Sequence, residues 1–367
     1  MKSFALVFFV ALGLSALLMP LAMRLSLRLG AMSTVGGRNV GTASVGRLGG
    51  LAIVVAAITA VAVLIGADST VARVLLMRPD LAIGLSVGGV AMATLGFVDD
   101  VHSVRAVAKL GVQLLVGLFA YWMGFRIDAV LLPFLGDVHF GMAAPIVTVV
   151  WIVGVVNAIN LIDGLDGLAG GIVFFAAVTN FAVGFAAGSV LSSLFMAAVA
   201  GSVLGFLLYN WHPARVYMGD SGSYFLGYVL ATSSLLGPAQ KASTTVSILV
   251  PVLAMGVPIF DTLFAMVRRF LERRPVFSPD RGHVHHRLLD MGMTQRRAVL
   301  GLYGVTILLT GVGMLVAFDR NREVGVIITA AATVGLVVWG LSSGKAKAEK
   351  AKSENAKTGS QPAPSSG

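Results

Sequence analysis

Long apolar runs alternate with short polar stretches over most of the chain. A helix that spans a membrane needs about 20 predominantly apolar residues, or somewhat fewer. Runs of this kind lie at 3–23, 48–66, 81–98, 106–124, 144–158, 168–187, 190–209, 222–237, 245–267, 299–317 and 324–342. The pattern therefore predicts an all-α polytopic membrane protein with about eleven transmembrane helices. Arg24 and Arg28 follow the first run without an Ala-x-Ala cleavage site, which favours a retained helix over a signal peptide.

Composition and charge agree with this class. Hydrophobic residues make up 57% of the 367 residues and charged residues only 12%, whereas soluble domains have about 25% charged residues. The net charge of +10 is better explained by basic cytoplasmic loops than by nucleic-acid binding. The sequence contains no cysteine, which excludes a disulfide framework and thiol chemistry.

The distribution of Lys and Arg predicts the orientation of the chain. With the N-terminus outside, most of the 27 Lys and Arg fall on the side that also holds the C-terminus, which is therefore expected to be cytoplasmic. On the other side, residues 125–141 contain two short β-like runs, which predict a small extracytoplasmic hairpin. Residues 1–343 are expected to form one membrane domain, and 344–367 a disordered cytoplasmic tail.

Four polar stretches fall on the predicted cytoplasmic side: Asp99-Asp100, residues 157–169 (NAINLIDGLDGLA), Asn210–Ser223 and the loop 268–298. Polar groups beside lipid are costly unless they are partnered or used. Their convergence predicts a functional site at one membrane face. A transporter, the alternative from another class, would place ionisable residues at mid-membrane on broken helices in symmetric halves, and the sequence shows no such halves.

The segment 157–169 places Asn157, Asn160, Asp163 and Asp166 at three-residue spacing, directly after an apolar run. Its two glycines, at positions 164 and 167, argue against a regular helix throughout. We therefore expect a helix end that turns into a loop, with the carboxylates at a water-facing surface.

Two aspartate features suggest cation or phosphate chemistry. Asp99 and Asp100 are adjacent like charges that repel unless a cation or a proton relieves them, although an ordinary polar helix end is an equal alternative. Asp220 lies on a Gly-rich turn just before a predicted span, where it could hold a Mg²⁺ ion that binds phosphate. Alternatively, Asp220 or Ser221 caps the following helix.

The loop 268–298 contains a cationic histidine cluster formed by His283, His285 and His286. Anion binding is favoured over zinc binding, because no cysteine or suitably spaced fourth ligand accompanies the histidines. Asp261 lies inside a predicted span, so it is either functional or paired with a neighbouring helix. The isolated residues His102, His139 and His212 are assigned no role.

These motifs, in this order and spacing, resemble the polyprenyl-phosphate N-acetylhexosamine-1-phosphate transferases (glycosyltransferase family 4). The resemblance covers about residues 1–342 and includes Arg47-Leu-Gly-Gly50, which matches the PRLGG motif of the family with Gly46 in place of proline. His283-Val-His-His-Arg287 and the segment 288–297 are similar to the branch that uses UDP-N-acetylglucosamine or a related UDP-sugar. The peptidoglycan branch, which uses UDP-N-acetylmuramoyl-pentapeptide, is the alternative. The first loop, residues 31–45, lacks the Asp, Lys and His of the branch pattern, which bears on the choice of UDP-sugar.

The resemblance implies transfer of N-acetylglucosamine-1-phosphate, or a related N-acetylhexosamine-1-phosphate, from a UDP-sugar to undecaprenyl or another polyprenyl phosphate. An oxygen of the lipid phosphate would attack the β-phosphorus and release UMP, with a covalent aspartyl route as an alternative. The reaction would be the first membrane step of a cell-envelope polysaccharide such as O-antigen or teichoic acid. The implied cofactor is Mg²⁺, with Mn²⁺ as an alternative. The implied setting is the bacterial plasma membrane, with the site facing the cytoplasm and a homodimer as an open option.

The resemblance also implies roles for individual residues. Asp220 and Asp100 would bind the metal; catalytic roles would fall to Asp99, Asp100, Asp163, Asp166, His283, His285 and His286; and substrate contacts would come from Arg47, Asn157, Asn160, Asn210, Tyr217 and Arg287. Within this set, Asp99 is expected to deprotonate or orient the lipid phosphate. Asn210 and Tyr217 would form the uridine pocket, and Asp163 and Asp166 would line its nucleotide side. The three histidines would contact the pyrophosphate or the sugar.

Overall fold

The computed structural model describes residues 2–33, 44–67, 69–132, 136–236, 252–271 and 283–318. These residues include twelve α-helices, a short 3-10 helix (Gly141–Ala143) and one β-hairpin. The helices are α1 (Lys2–Leu29), α2 (Gly49–Ala67), α3 (Ser69–Met77), α4 (Pro79–His102), α5 (Ala106–Trp122), α6 (Ala144–Ile162), α7 (Leu168–Ala186), α8 (Val190–Asn210), α9 (Gly219–Ser234), α10 (Gly256–Leu271), α11 (Val284–Asp290) and α12 (Gln295–Phe318).

Seven helices of the described chain are long and apolar enough to cross a membrane: α1, α2, α4, α6, α7, α8 and α12. Helices α5, α9 and α10 are shorter, with 17, 16 and 16 residues. The predicted class, an all-α multi-pass membrane protein, is confirmed. A described helix overlaps each of the first ten predicted runs. The eleventh, 324–342, and the predicted tail, 344–367, lie outside the described residues.

The helix boundaries differ from the predicted ones in two informative places. Helix α3 was not predicted, because its nine residues are too short and too polar on one face to read as a span. Helix α6 continues to Ile162, beyond the predicted end at residue 158, so Asn157 and Asn160 lie on its last turns. The chain turns only at Asp163, which confirms the predicted change from helix to loop.

The predicted hairpin is present, and its extracytoplasmic side stays a prediction. Strands β1 (Ala129–Leu132) and β2 (Gly136–His139) are antiparallel, with Ala129 opposite His139 and Leu132 opposite Gly136. The hairpin joins the end of α5 to the start of α6. It therefore lies at the opposite end of these two helices from Lys109 and Asn160, which reach the polar site described below.

Helix α9 lies at the centre of the site because glycines let its neighbours approach closely. It packs against α4, α6 and α2. A Cβ atom on Gly96 of α4 would overlap the backbone of Asp220, and one on Gly50 of α2 would overlap the backbone of Gly222. Small residues allow such close contact between membrane helices. The first turn of α9, with Asp220, is thereby held directly against the Asp99–Asp100 end of α4.

Candidate active site

Asp100 closes the N-terminus of a helix that is distant from it in sequence. Its Oδ1 accepts a hydrogen bond from the backbone N–H of Asp220 and its Oδ2 one from the N–H of Ser221, both at 3.0 Å. The first N–H groups of a helix have no partner within the helix and need an external acceptor. The Asp100 carboxylate has no exposed surface, and Arg47 Nη2 lies 3.3 Å from its Oδ1. The capping group of α9 thus comes from α4, rather than from Asp220 or Ser221.

Asp99, although adjacent to Asp100, is directed towards α5. Its Oδ1 accepts from the backbone N–H of Val104 at 2.6 Å, and its Oδ2 accepts from Lys109 Nζ at 2.9 Å. Lys109 Nζ also lies 3.6 Å from Asp220 Oδ2, so the same ammonium group contacts both carboxylates. One lysine therefore offsets the repulsion between two carboxylates that face the same space.

The side chain of Asp220 is oriented from two directions. Asn160 Nδ2 on α6 donates to Asp220 Oδ1 at 2.9 Å and to Ser223 Oγ at the same distance. Tyr224, one turn along α9, donates from its hydroxyl to Asp220 Oδ2 at 3.0 Å. The Asp220 side chain retains 13% of its exposure, so its oxygens can still be reached from outside the protein.

The donor set suits Mg²⁺, which proteins bind through one or two carboxylates together with substrate phosphates and water. The carboxylates of Asp99 and Asp220 are both partly exposed and face the same space. The Asp100 carboxylate has no exposed surface and is already occupied by two backbone N–H groups. Among the described residues no group of three or more His, Asp or Glu is gathered in a metal-binding arrangement, so the remaining ligands would have to come from substrate and water.

Asp163, Asp166 and Tyr217 form the neighbouring part of the site. Burial raises the pKa of Asp163 to about 7, and the negative charge of Asp220 adds to this shift. Burial also raises the pKa of Tyr217 to about 12, with further contributions from the charges of Asp166 and Asp163. The end of the 157–169 segment is therefore close enough to Tyr217 for its carboxylates to affect the phenol, while a shared nucleotide pocket stays a prediction.

Asp166 and Asn210 hold the surrounding loops. Asp166 Oδ2 lies 2.7 Å from His212 Nδ1 and accepts from the backbone N–H of Ala214 at 3.1 Å. His212, which was assigned no role from the sequence, therefore has a partner in the site. Asn210 accepts from the N–H of Gly167 at 2.9 Å and donates to the carbonyl of Val216 at 2.8 Å. Asn210 therefore links two loops, while its contact with uridine stays a prediction.

The histidine motif begins at a buried contact between a histidine and an aspartate. His283 Nδ1 lies 2.9 Å from Asp261 Oδ2, and Asp261 Oδ1 accepts from the backbone N–H of Val284 at 2.8 Å. Asp261 thus pairs with a neighbouring segment, as the second interpretation of this residue expected, and fixes the start of α11. Arg287 lies over the ring of Phe264, at 5.2 Å from the ring centre.

The structure describes only part of the remaining histidine motif. The side chain of His285 lies outside the described part of the structure, and His286 lies on α11. The predicted contacts of His283, His285 and His286 with pyrophosphate or sugar, and of Arg287 with substrate, stay predictions.

The structure brings part of the predicted site together and adds residues that were missed. Arg47, Asp100, Asn160 and Asp220 are linked by hydrogen bonds or ion-pair contacts, and Lys109 joins Asp99 to Asp220. The added side chains are Lys109, His212, Tyr224 and Tyr303, the last of which donates to the carbonyl of Gly167. Lys109 was detectable, since a lysine inside an apolar run is a functional candidate by default.

Gly219 provides a direct test of the α4–α9 junction. Its φ is +70°, and an added Cβ would overlap the Arg47 carbonyl and come within 2.5 Å of Asp100 Oδ2. We expect Gly219→Ala to lower the thermal midpoint strongly and to reduce activity. Gly188→Ala is the matched control, because Gly188 has φ +72° but open space around it. It should cost only the left-handed strain of about 1–2 kcal/mol. Equal losses in the two variants would contradict the close packing.

The sequence of this chain matches a known protein family. Residues 82–238 match the model of the family described as "Glycosyl transferase family 4". A protein of Bacillus subtilis named "Probable undecaprenyl-phosphate N-acetylglucosaminyl 1-phosphate transferase" is 38% identical over 297 residues, which are 81% of this chain and 80% of the relative. The chain belongs to glycosyl transferase family 4.

Other members of glycosyl transferase family 4 match a similar share of the chain. "Decaprenyl-phosphate N-acetylglucosaminephosphotransferase" of Mycolicibacterium smegmatis is 32% identical over 338 residues, 85% of this chain and 83% of the relative. The protein of the same name from Mycobacterium tuberculosis strain H37Rv is 32% identical over 334 residues, 85% of this chain and 82% of the relative. The family match begins at residue 82 and ends at 238, so it contains Asp99, Lys109, Asn160 and Asp220.

Proposed function

We propose that this family 4 member transfers N-acetylglucosamine-1-phosphate from UDP-N-acetylglucosamine to polyprenyl phosphate and releases UMP. The observation that carries the proposal is the meeting of Asp99, Lys109 and Asp220 at the ends of three membrane helices. The relatives that match over four fifths or more of this chain are named for the same transfer to undecaprenyl or decaprenyl phosphate. They support N-acetylglucosamine over the N-acetylmuramoyl-pentapeptide alternative.

The reaction forms a bond between an oxygen of the lipid phosphate and the β-phosphorus of the UDP-sugar. The bond between that phosphorus and the bridging oxygen breaks, and the electron pair leaves with UMP. In phosphoryl transfer the protein mainly positions the groups and neutralises charge. When bound by Asp220 and Asp99, Mg²⁺ would supply charge neutralisation at the pyrophosphate.

The residues of the chain supply the remaining functions. Lys109, with its positive charge between Asp99 and Asp220, would attract the phosphate groups and limit repulsion by the carboxylates. Asp99 would orient the lipid phosphate, which is largely ionised at neutral pH because its second pKa is near 6. Asn160 and Tyr224 hold the Asp220 carboxylate in place, and Asp100 fixes the backbone that carries it.

The predicted orientation places the site at the cytoplasmic face of the plasma membrane. The first contacts of the site come from the C-terminal ends of α4 and α6 and the N-terminal ends of α5 and α9, all on the side to which the sequence assigns most Lys and Arg. The hairpin lies at the other ends of α5 and α6. A water-soluble UDP-sugar and a membrane-borne lipid phosphate can both reach such a site.

A panel of UDP-sugars tests the proposal. The purified protein in lipid nanodiscs is incubated with polyprenyl phosphate, Mg²⁺ and each UDP-sugar, and the lipid product is identified by mass. We expect a lipid pyrophosphate carrying N-acetylglucosamine, with UMP in equal amount. A product only with UDP-N-acetylmuramoyl-pentapeptide would identify the peptidoglycan alternative, and substrate uptake without UMP would identify a transporter.

A further inference from the structure

A pair of amide side chains lies one helical turn below the carboxylate site. Gln113 follows Lys109 by four residues on α5, and Asn157 precedes Asn160 by three residues on α6. Asn157 Nδ2 donates to Gln113 Oε1 and to the carbonyl of Val153, both at 2.8 Å. Because one turn of an α-helix rises 5.4 Å, the pair lies about that much deeper along both helices than Lys109 and Asn160.

Gln113 has a donor that no described group satisfies. The residue is 1% exposed, and within the described part of the chain its Nε2 is buried without a hydrogen-bond partner. Leaving a buried polar group unpaired is costly, and water that could compensate is scarce at membrane depth. Such a group calls for a specific explanation, such as a ligand. Asn157 is only half-buried, so the pair borders an accessible surface.

The position of this donor matches what the acceptor lipid needs. A phosphate monoester carries about −1.5 to −2 charges and three strong acceptor oxygens. Lys109, one turn away on α5, is already shared between Asp99 and Asp220, so further donors are needed for the incoming phosphate. Gln113 lies on the same face of α5 as Lys109 and one turn closer to the bilayer centre.

The row of polar side chains on this face of α5 ends at Gln113. The next turn on this face holds Val116 and Gly117, both buried. On α6, the turn before Asn157 likewise holds buried Ile152 and Val153. This change from polar to apolar fits a ligand whose phosphate remains beside the amides while its hydrocarbon chain continues into the bilayer.

We propose that Gln113 binds the acceptor substrate directly, by donating from Nε2 to a phosphate oxygen of polyprenyl phosphate. Asn157 positions the Gln113 amide, because its donation to Oε1 leaves Nε2 as the unpaired donor that a phosphate oxygen would satisfy. This inference rests on the proposed transfer reaction and assigns the part of the site that recognises its lipid substrate.

Steady-state kinetics with both substrates varied separately tests this role. For Gln113→Met, which keeps the length of the side chain and removes the donor, we expect the KM for polyprenyl phosphate to rise about tenfold. The KM for the UDP-sugar should stay within twofold. Gln113→Glu should raise the lipid KM further, since it places a negative charge against the phosphate.

Thr148→Val is the matched control. Thr148 is buried on α6, donates to the carbonyl of Ala144 and accepts from the N–H of Ile127, near the hairpin end of the helix. Its loss should lower the thermal midpoint without changing either KM. If both Gln113 variants lower the thermal midpoint in the same way and leave the lipid KM unchanged, Gln113 only joins α5 to α6 and the proposal is wrong.

Direct binding separates this inference from the proposed function. The rise in thermal midpoint caused by a short-chain polyprenyl phosphate is measured for wild type, Gln113→Met and Gln113→Glu in nanodiscs. We expect a clear rise in wild type and a much smaller one in the variants, even if turnover is absent. Wild type that binds the lipid but releases no UMP would overturn the proposed reaction alone. Equal lipid-induced shifts in all three proteins would overturn the role of Gln113.

Discussion

Asp220→Asn is expected to abolish UMP release, with a loss of about 10³-fold or more. The substitution removes the charge of the carboxylate that faces Asp99 and Lys109, so Mg²⁺ would lose its main ligand. Metal-assisted charge stabilisation contributes several kcal/mol to such reactions, and each 1.4 kcal/mol corresponds to a factor of ten in rate. The readout is UMP release by protein in nanodiscs across a range of Mg²⁺ concentrations.

A second readout for Asp220 does not depend on turnover. Binding of Mn²⁺, followed by electron paramagnetic resonance in the presence of UDP-sugar, should be weaker in Asp220→Asn than in wild type. Ser223→Ala serves as a neighbouring control, since Ser223 contacts Asn160 and lies on the same turn without a charge. Near-normal turnover and unchanged Mn²⁺ binding in Asp220→Asn would remove Asp220 from the metal site.

The adjacent residues Asp99 and Asp100 should respond differently to the same chemical change. For Asp99→Asn we expect a loss of about 10²-fold in kcat, with UDP-sugar binding retained, because its carboxylate faces the reacting groups. For Asp100→Asn we expect the free energy of unfolding to fall by about 1–3 kcal/mol. An amide there can accept only one of the two backbone hydrogen bonds from α9.

Asp80→Asn is the control for this pair. Asp80 lies on the same helix, in an exposed ion pair with Arg78 at 3.0 Å, and exposed pairs contribute little to stability. Neither activity nor the thermal midpoint should change. The measurements are kcat, binding of the UDP-sugar by calorimetry, and thermal unfolding. A stable Asp100→Asn protein with normal unfolding and a selective loss of kcat would show that Asp100 acts in the chemistry rather than in positioning.

Much of the architecture follows from local pattern in the sequence. Apolar runs of about 20 residues locate the membrane helices, and alternation around residues 129–139 locates the hairpin. The segment 157–169 also behaves as its glycines predict, since α6 ends at Ile162 and Asp163 starts a turn. Helix α3 was missed because its nine residues are too few, and too polar on one face, to be recognised as a span.

Several residues of the site could be predicted from the sequence, but their contacts with one another could not. Asp99, Asp100, Asn160 and Asp220 are recognisable as polar groups at the ends of apolar runs. The pairing of Asp100 with the N-terminus of α9 was not, because the two residues are separated by 120 positions and only packing brings them together. From the sequence, Asp100 was expected to bind metal. Because its carboxylate accepts hydrogen bonds from the start of α9, we propose Asp99, beside Asp220, for that role instead.

Polar residues inside a predicted span, such as Lys109 and Gln113, carry information about the site. Both lie in the predicted run 106–124, where a polar or charged side chain is expensive unless it has a partner or a function. Lys109 contacts Asp99, and Gln113 contacts Asn157. Neither partner can be read from the sequence, since α5 could turn either face towards α4 and α6.

The position of the β-phosphorus after reaction tests the central claim most directly. UDP-N-acetylglucosamine labelled with ³²P at the β-phosphate is incubated with polyprenyl phosphate, Mg²⁺ and the purified protein, and the products are separated into lipid and nucleotide. The proposed transfer predicts that all transferred label appears in the lipid pyrophosphate, with unlabelled UMP as the nucleotide product. Labelled UDP together with an unlabelled glycolipid would show transfer of the sugar alone and would contradict the account.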